Sequence, residues 1–439
     1  MSLEKVDQIQ LYPVKQVRKQ RLVTDIAGTV TQELKKSKRL QALPTGSRIA
    51  IAVGSRGINH LSTYVLSTVT TLKRMGHQPF IVAAMGSHGG ATSEGQRELL
   101  AHYGIHENAM GVPVLSDMDV EQIGVNQSGI PVYWDRNALA ADGVFTISRI
   151  KPHTDFHGTY ESGIVKMLVI GLGKQPGASV HHVYGVRGLR DFIPQSVEVV
   201  LQKTKFLAGL AIVENADDEP GCIELIDRDD LLVKEPGLLS LARAWMAQLP
   251  FQQLDLLIIG ECGKNYSGTG MDVNVLGRQM LEGVPDLLKP NITRICLLDL
   301  SEETEGNATG VGIADLTTTR IVKKIDKHKS DMNCLTSCCL LRSKIPIDLP
   351  GDRECIAQGM ATCWQPDLAK LKLAFIPNTL ELAHIWATAA ALEQLKSNKE
   401  VEIGTTTRTL PWTADGRVEQ AILFPNSTQG KRHQVLRAK

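Results

Sequence analysis

The sequence predicts an α/β protein made of two α/β lobes with mainly parallel sheets and a cleft between them. Short apolar runs rich in β-branched residues alternate with segments of helical periodicity, which is typical of parallel βαβ units. The chain has 439 residues, 43% of them hydrophobic. This length allows more than one domain, at about 100–200 residues each.

The first lobe begins with a predicted βαβ unit. Apolar runs at 49–53 and 80–84 predict two strands, and apolar residues at helical spacing within 61–72 predict the helix between them. Further strands are predicted at 143–148 and 206–213. Because open α/β sheets bind ligands beyond the carboxyl ends of their strands, the loops that follow these strands predict a site.

The second lobe is predicted to start near the helix breaker Pro250, after a helix at 238–248. Its elements repeat the same alternation, with strands at 255–259, 295–300 and 371–376 and a helix at 380–395. We therefore place the first lobe at 1–250 and the second at 251–401. The polar, β-leaning residues 402–439 are expected to return to the first lobe.

Composition and charge favour a protein that acts on a small molecule. The formal net charge is +1, which gives no electrostatic reason to expect a nucleic acid or a membrane as partner. No apolar stretch approaches the ~18–20 residues of a spanning helix, and the polar opening residues do not resemble a secretory signal. Eight cysteines at irregular spacing predict reduced thiols. We expect a cytoplasmic location.

One segment concentrates candidate catalytic residues. Residues 151–166 read Lys-Pro-His-Thr-Asp-Phe-His-Gly-Thr-Tyr-Glu-Ser-Gly-Ile-Val-Lys and contain His153, His157 and Lys166. Lys166 stands within an apolar stretch, and burying an unpaired ammonium costs several kcal/mol. A solvated turn would explain the histidines equally well, but the lysine favours a functional role.

Two other loops carry candidate residues. His88 lies in Gly-Ser-His-Gly-Gly at 86–90, which could alternatively be a phosphate cradle of backbone amides at a helix start. Arg56 follows the first strand and is expected at the same rim of the sheet. The pair His181 and His182 follows a glycine-rich stretch.

Taken together, the order and spacing of these residues resemble the nickel-dependent lactate racemase family, including homologues that racemise or epimerise other 2-hydroxy acids. The matching positions are Arg56, Ser87, His88, His153, Ser162, Lys166 and His182. The resemblance implies an isomerase that uses a nickel-pincer nucleotide, pyridinium-3-thioamide-5-thiocarboxylic acid mononucleotide with nickel. Separate cofactor-biosynthesis enzymes would have to supply it.

The resemblance also implies roles for single residues. Lys166 resembles the lysine that joins the cofactor through a thioamide, and His182 resembles the nickel ligand, with His181 as the alternative. Ser87, Gly89 and Ser162 are further candidates for cofactor contacts. Whether the lysine link is covalent here is left open.

The implied reaction inverts C2 of a 2-hydroxy acid by reversible hydride transfer to the cofactor. His88 and His153 resemble the paired acid and base that move the hydroxyl proton, and His157 competes with His153. Arg56 resembles the arginine that binds the substrate, for which its planar fork suits a carboxylate.

The sequence departs from the family at three positions. Val53 stands where an acidic residue is typical, and Gly277 and Met280 replace a glutamine and a lysine after the retained Asp-x-Asn motif at 272–274. Loss of two long polar side chains predicts a substrate larger than lactate, such as a sugar acid (an aldonate). Candidate substrate contacts are His157, Lys264, Tyr266 and Asn274.

Three alternatives stay open at this point. The substrate could be lactate or another short-chain 2-hydroxy acid. The histidines could instead hold zinc in a hydrolase, although no HExxH or comparable motif is present. A non-catalytic cofactor-binding protein would need Lys166 and His182 but not His88 and His153. A homo-oligomer is compatible with the sequence.

Overall fold

The computed structural model describes residues 3–18, 21–54, 57–428 and 431. The chain divides into two compact units, Gln20–Met246 and a second formed by Met1–Lys19 with Ala247–Lys439. The α/β class with mainly parallel sheets is confirmed. The cleft between the lobes stays a prediction.

The strands of the described residues form two large sheets and one two-stranded sheet. They are Tyr12–Gln16 (β1), Arg48–Val53 (β2), Gln78–Ala83 (β3), Val114–Leu115 (β4), Val120–Val125 (β5), Pro131–Asp135 (β6), Gly143–Arg149 (β7), Phe206–Glu214 (β8), Pro220–Asp227 (β9), Gln253–Cys262 (β10), Asn291–Leu300 (β11), Leu316–Thr318 (β12), Ile347–Leu349 (β13), Leu373–Ile376 (β14), His384–Ala387 (β15) and Val401–Ile403 (β16).

The α-helices of the same residues range from single turns to four turns. They are Leu3–Asp7 (α1), Ile26–Lys36 (α2), Lys38–Gln41 (α3), Leu61–Arg74 (α4), Ser93–His102 (α5), Glu107–Met110 (α6), Arg136–Leu139 (α7), Ile164–Lys166 (α8), Lys174–His182 (α9), Gly185–Arg187 (α10), Ile193–Lys203 (α11), Leu231–Trp245 (α12), Val273–Leu276 (α13), Thr319–Lys324 (α14), Lys327–Ser337 (α15), Asp352–Thr362 (α16), Ala389–Leu392 (α17) and Gln420–Leu423 (α18).

The unit Gln20–Met246 is built on a six-stranded sheet of order β4-β3-β2-β7-β8-β9. Its strands are parallel except β9, which runs antiparallel to β8. Alternate residues of the central strands are buried on opposite faces of the sheet, in two apolar clusters. The strands predicted at 49–53, 80–84, 143–148 and 206–213 are confirmed.

The other unit contains an eight-stranded sheet of order β13-β12-β11-β10-β14-β15-β1-β16. The first five strands are parallel, and β15, β1 and β16 are added antiparallel. The strands predicted at 255–259, 295–300 and 371–376 are confirmed. The helix predicted at 380–395 is wrong, because β15 and the short α17 occupy that range.

The unit boundaries differ from the predicted lobes at both chain ends. The division at 246/247 lies close to the predicted Pro250. Residues 402–439, expected with the first lobe, are grouped instead with 247–401, and residues 1–19 join them. The physical reason is strand pairing, since β1 hydrogen-bonds to β15 on one side and to β16 on the other.

Two further observations bear on the sequence predictions. The eight cysteines are free thiols, as predicted for a chain of this cysteine spacing. In the described ranges no helix has the length and apolar character that crossing a membrane requires.

Candidate active site

The segment that the sequence singled out forms a closed loop, residues 151–162, called the histidine loop below. It follows β7, at the carboxyl end of a central strand of the parallel sheet. Lys151 and Ser162 pair as an antiparallel bridge, with each backbone N–H donating to the other residue's carbonyl at 3.1 and 3.2 Å. The predicted site therefore begins where open α/β sheets bind ligands.

His153 lies in contact with Lys166. Its Nε2 is 2.5 Å from the lysine Nζ, and its Nδ1 accepts the backbone N–H of Asp155 at 3.0 Å. Phe156 holds the ring from one side, with centroids 4.7 Å apart, and also lies under the ammonium nitrogen at 5.7 Å. The structure thus brings together two of the residues that the sequence predicted.

His157 is paired with the carboxylate of Glu161. Its Nδ1 lies 3.3 and 3.4 Å from the two carboxylate oxygens. The Glu161 side chain is 0% exposed, whereas His157 is 32% exposed. Burial alone would raise the pKa of Glu161, but hydrogen bonds from His157 and from the loop backbone lower it overall. Glu161 is therefore ionised inside this loop at neutral pH.

Lys166 ends α8, a single helical turn that begins after Gly163. A π-helical turn, Met167–Gly171, follows directly and leads to α9. π-turns inside helices are rare and occur often at functional sites. The start of α8 is held by Glu235 of α12, whose Oε2 accepts the backbone N–H of Val165 at 3.1 Å.

The two adjacent histidines of α9 have different environments. His181 is buried, with Nδ1 2.8 Å from the Gly177 carbonyl oxygen and Nε2 3.0 Å from Oγ of Ser196. His182 is half-buried, and burial together with the charge of Lys166 lowers its pKa to about 4. A neutral imidazole is the form that binds metals, and His182 has it at neutral pH.

The loop with His88 contacts the helix that joins Lys166 to His182. The backbone N–H of Gly86 donates to the Gly171 carbonyl at 3.2 Å, and a Cβ on Gly86 would lie 3.7 Å from that of Ala178. His88 is exposed, and its catalytic role stays a prediction.

Part of the alternative interpretation of this loop is also borne out. Thr92 caps α5, with Oγ1 accepting the N–H of Gly95 at 3.1 Å, so the loop does lead into a helix start. Gly89 has φ +65°, and a Cβ there would approach the Gly95 carbonyl carbon to 2.6 Å. Close packing on α5 therefore explains the glycine, while Ser87, Gly89 and Ser162 as cofactor contacts stay predictions.

Sequence reasoning missed the residues that support these loops from behind. Gln96 of α5 is buried and donates Nε2 to the carbonyls of Gly86 at 2.9 Å and His88 at 3.2 Å. Lys174 is fully buried and donates to the Ala83 carbonyl at 2.5 Å. Arg243 reaches Glu161 from α12. A polar residue on a predicted helix is usually solvated, so no sequence signal separated these from surface residues.

Arg56, the predicted substrate arginine, lies outside the described residues. Of the other predicted substrate contacts, His157 lies in the histidine loop. Lys264, Tyr266 and Asn274 belong to the second unit, where each makes contacts within that unit. Lys264 donates to the Gly268 carbonyl at 2.6 Å and to Oδ1 of Asn333 at 3.0 Å, and Tyr266 donates to the buried Glu261 at 2.5 Å. Asn274 donates to Oδ1 of Asp272 at 3.1 Å.

Gly277 has a backbone reason to be glycine. It ends α13 with φ +71°, and a Cβ there would lie 2.2 Å from the Pro290 carbonyl oxygen. The backbone thus explains the glycine without reference to a substrate, and the expectation that Gly277 and Met280 make room for a larger substrate stays a prediction.

Comparison with known families finds a match for the first part of the chain. Residues 1–188 match the model of the lactate racemase N-terminal domain. The amino-terminal part of the chain is similar to lactate racemases over these residues. The resemblance predicted from the spacing of the histidines and Lys166 is thereby confirmed. The matched residues contain the histidine loop, Lys166 and both adjacent histidines.

A solved structure is also similar to this chain. It is the lactate racemase apoprotein from Thermoanaerobacterium thermosaccharolyticum, at 14% sequence identity and a TM-score of 0.49 over 87% of this chain and 91% of that chain. No curated protein matches the chain.

Proposed function

We propose that the chain is a racemase or epimerase that inverts C2 of a 2-hydroxy acid with a nickel-pincer nucleotide. The observation that carries the proposal is the contact of His153 with Lys166 inside a lactate racemase N-terminal domain. The loop of His88 and the half-buried His182 belong to the same unit. One helical segment leads from Lys166 to His182, and the His88 loop contacts that segment at Gly171.

The donor set fits this cofactor. In the part of the chain that the structure describes, no group of three His, Cys, Asp or Glu residues could hold a metal. A nickel ion bound here would need further ligands from an organic group, which a pincer nucleotide offers through sulfur and carbon. His182 would be the protein ligand and Lys166 the point of attachment. When bound, the group supplies an acceptor and donor of hydride at C2 of the substrate.

The hydrogen bonds of His153 place its ring against the proposed point of attachment. Nδ1 accepts the backbone N–H of Asp155, and Nε2 lies 2.5 Å from Nζ of Lys166. An uncharged amine is the nucleophilic form of lysine, and attachment would require Lys166 in that form.

The histidines supply the proton transfer. Hydride removal from C2 requires loss of the hydroxyl proton, and imidazole titrates in the range that allows both gain and loss at neutral pH. His88 and His153 are proposed for the two enantiomers, with His157 as the competitor of His153. Arg56 keeps its proposed role at the substrate carboxylate.

The substrate is proposed to be larger than lactate, such as an aldonate. This finer proposal depends on Met280, which replaces a lysine that would otherwise bring a charge toward the substrate. Turnover of a panel of 2-hydroxy acids of increasing length, followed by chiral separation, tests it. A preference for lactate over the sugar acids would overturn the size argument and leave the short-chain alternative.

The first experiment is native mass spectrometry of protein produced with nickel and the cofactor-making enzymes, beside Lys166→Ala. A mass gain that survives denaturation only in the wild type is expected. A gain lost on denaturation would remove the covalent role of Lys166. No gain would turn the proposal to the zinc-hydrolase alternative.

A second experiment separates the enzyme from a non-catalytic cofactor-binding protein. The double variant His88→Ala, His153→Ala is expected to lose racemisation by at least ~10²-fold, because both acid–base groups are absent. It should keep the nickel nucleotide, because Lys166 and His182 are intact. Unchanged racemisation would contradict the assignment of both histidines.

A further inference from the structure

The histidine loop is organised around one buried carboxylate. Lys151 and Ser162 close the loop at its ends, and the side chain of Glu161 fills its interior with 0% exposure. A carboxylate can be buried at tolerable cost only when its oxygens accept several hydrogen bonds or pair with a cation. Every partner of Glu161 is therefore also held in place by it.

Four donors converge on Glu161. The backbone N–H of His153 donates to Oε2 at 2.6 Å and that of Gly158 donates to Oε1 at 3.0 Å. The ring of His157 lies on the same carboxylate. The fourth donor is the guanidinium of Arg243, which reaches Oε1 across the fold from α12.

Both candidate acid–base histidines depend on this carboxylate, in different ways. Glu161 accepts the backbone N–H of His153. The His153 ring accepts the Asp155 amide at Nδ1, and this contact directs Nε2 toward Lys166. For His157 the anchor is the ring, because an anion at Nδ1 fixes the proton there and makes Nε2 the basic nitrogen.

Arg243 gives the Glu161 carboxylate a permanently charged partner. Loop backbone and one imidazole give hydrogen bonds to Glu161 but no permanent charge, and Arg243 is always protonated. Its second contact, from Nη2 to the Gly158 carbonyl at 3.4 Å, ties the same loop to α12. Arg243 and, when protonated, His157 are thus the charged side chains that contact the Glu161 carboxylate.

We propose that Glu161, fixed by Arg243, is the positioning residue that orients His153 and His157 for proton transfer. The role of this orientation in catalysis rests on the proposed function. The orientation of the two histidines can be measured without turnover, so the test begins with protein that carries no cofactor.

Hydrogen exchange tests the anchoring. Glu161→Gln and Arg243→Met are expected to speed exchange of the amides of His153 and Gly158 by about tenfold or more. The first variant removes the charged acceptor of both amides, and the second removes the cation that fixes this acceptor. The matched control is Glu198→Gln, an exposed carboxylate of the same unit that hydrogen-bonds Gln127 at 3.3 Å. Unchanged exchange in both test variants would overturn the proposal.

Carbethoxylation of His157 distinguishes positioning from mere support of the fold. At about pH 8, where imidazole is mostly neutral, the carboxylate should make Nε2 more nucleophilic, so that Glu161→Gln slows modification. Loosening of the loop alone would expose the ring and speed modification. A faster rate in Glu161→Gln than in wild type would therefore overturn the positioning role.

Turnover of the loaded enzyme completes the test. Glu161→Gln and Arg243→Met are expected to lower kcat about 10²-fold with KM nearly unchanged, and Arg243→Lys should recover most of the rate because it restores the cation. Equal kcat in all variants would overturn the proposal. Wild type without racemisation would refute the proposed function, while exchange and carbethoxylation would still decide the role of Glu161.

Discussion

Lys174 and Asp135 form an ion pair inside the Gln20–Met246 unit, with Nζ 3.3 Å from Oδ2 and both side chains 0% exposed. Burial lowers the pKa of Lys174 and raises that of Asp135, and the attraction between the two opposes both shifts. Lys174 also donates to the carbonyl that ends β3 and lies 3.5 Å from Oε1 of Gln96. Since Gln96 binds the carbonyls of Gly86 and His88, the pair supports the His88 loop.

Lys174→Met is expected to lower the free energy of unfolding by about 3–5 kcal/mol, because it leaves Asp135 as an uncompensated buried charge. Urea denaturation of cofactor-free protein measures it. Lys234→Met is the control: that lysine is 46% exposed and pairs with Asp230 at 3.4 Å, so a change below about 1 kcal/mol is expected. Similar losses in both variants would contradict the role of the buried pair.

Glu235 makes the stability of the same unit depend on pH. It is buried at the start of α8, Oε1 has no hydrogen-bond partner among the described residues, and burial raises its pKa from 4.5 to about 8. Between these values the folded protein binds a proton that the unfolded chain has lost. This contribution to stability is thus complete below pH 4.5 and is lost as pH rises to about 8.

Glu235→Gln, which keeps the shape of the protonated acid, should remove this dependence. Relative to the variant, wild type is expected to lose up to about 1.4 kcal/mol of unfolding free energy per pH unit within that window. Urea denaturation at several pH values measures the difference, with Glu198→Gln as control. A difference between wild type and variant that is constant with pH would refute a titrating Glu235.

The two adjacent histidines should separate cleanly by mutation. His182→Ala is expected to reduce nickel in the loaded protein at least about tenfold, as loss of a ligand costs no less than loss of its outer partners. His181→Ala should keep nickel but lower the melting temperature, because Ser196 and the Gly177 carbonyl lose a buried partner. Metal analysis and thermal denaturation measure both, and nickel loss only in His181→Ala would reverse the assignment.

Much of the fold was predictable because the parallel strands are continuous apolar runs. Residues 49–53 and 256–259 are buried on both faces of their sheets, so each range is an uninterrupted apolar run in the sequence. The failure at 380–395 has a physical cause in the pairing of β15 with β14 and β1. Pairing with β1, which is distant in the chain, overrides local helical spacing, and no sequence period reports it.

The candidate site was predictable where its residues are adjacent in the chain. His153, His157 and Lys166 share one segment, and their types suggested chemistry before any contact was known. Arg243 could not be found, because its contact with Glu161 spans 82 positions and its own helix gives it the appearance of a surface residue. The difference between His181 and His182 likewise depends on which face of α9 is turned inward.

Gly277 stands where the lactate racemase pattern has a glutamine, and either its backbone conformation or space for the substrate could explain the glycine. Gly277→Ala places a Cβ 2.2 Å from the Pro290 carbonyl oxygen at φ +71°, whereas Gly283→Ala has φ +73° with nothing within 4 Å. Both variants should lose about 1 kcal/mol for the left-handed conformation, and Gly277→Ala should lose a further ~1–3 kcal/mol for the contact. Urea denaturation of both measures the difference. Equal losses would show that Pro290 does not exclude a side chain, and the glycine would again be explained by space for the substrate.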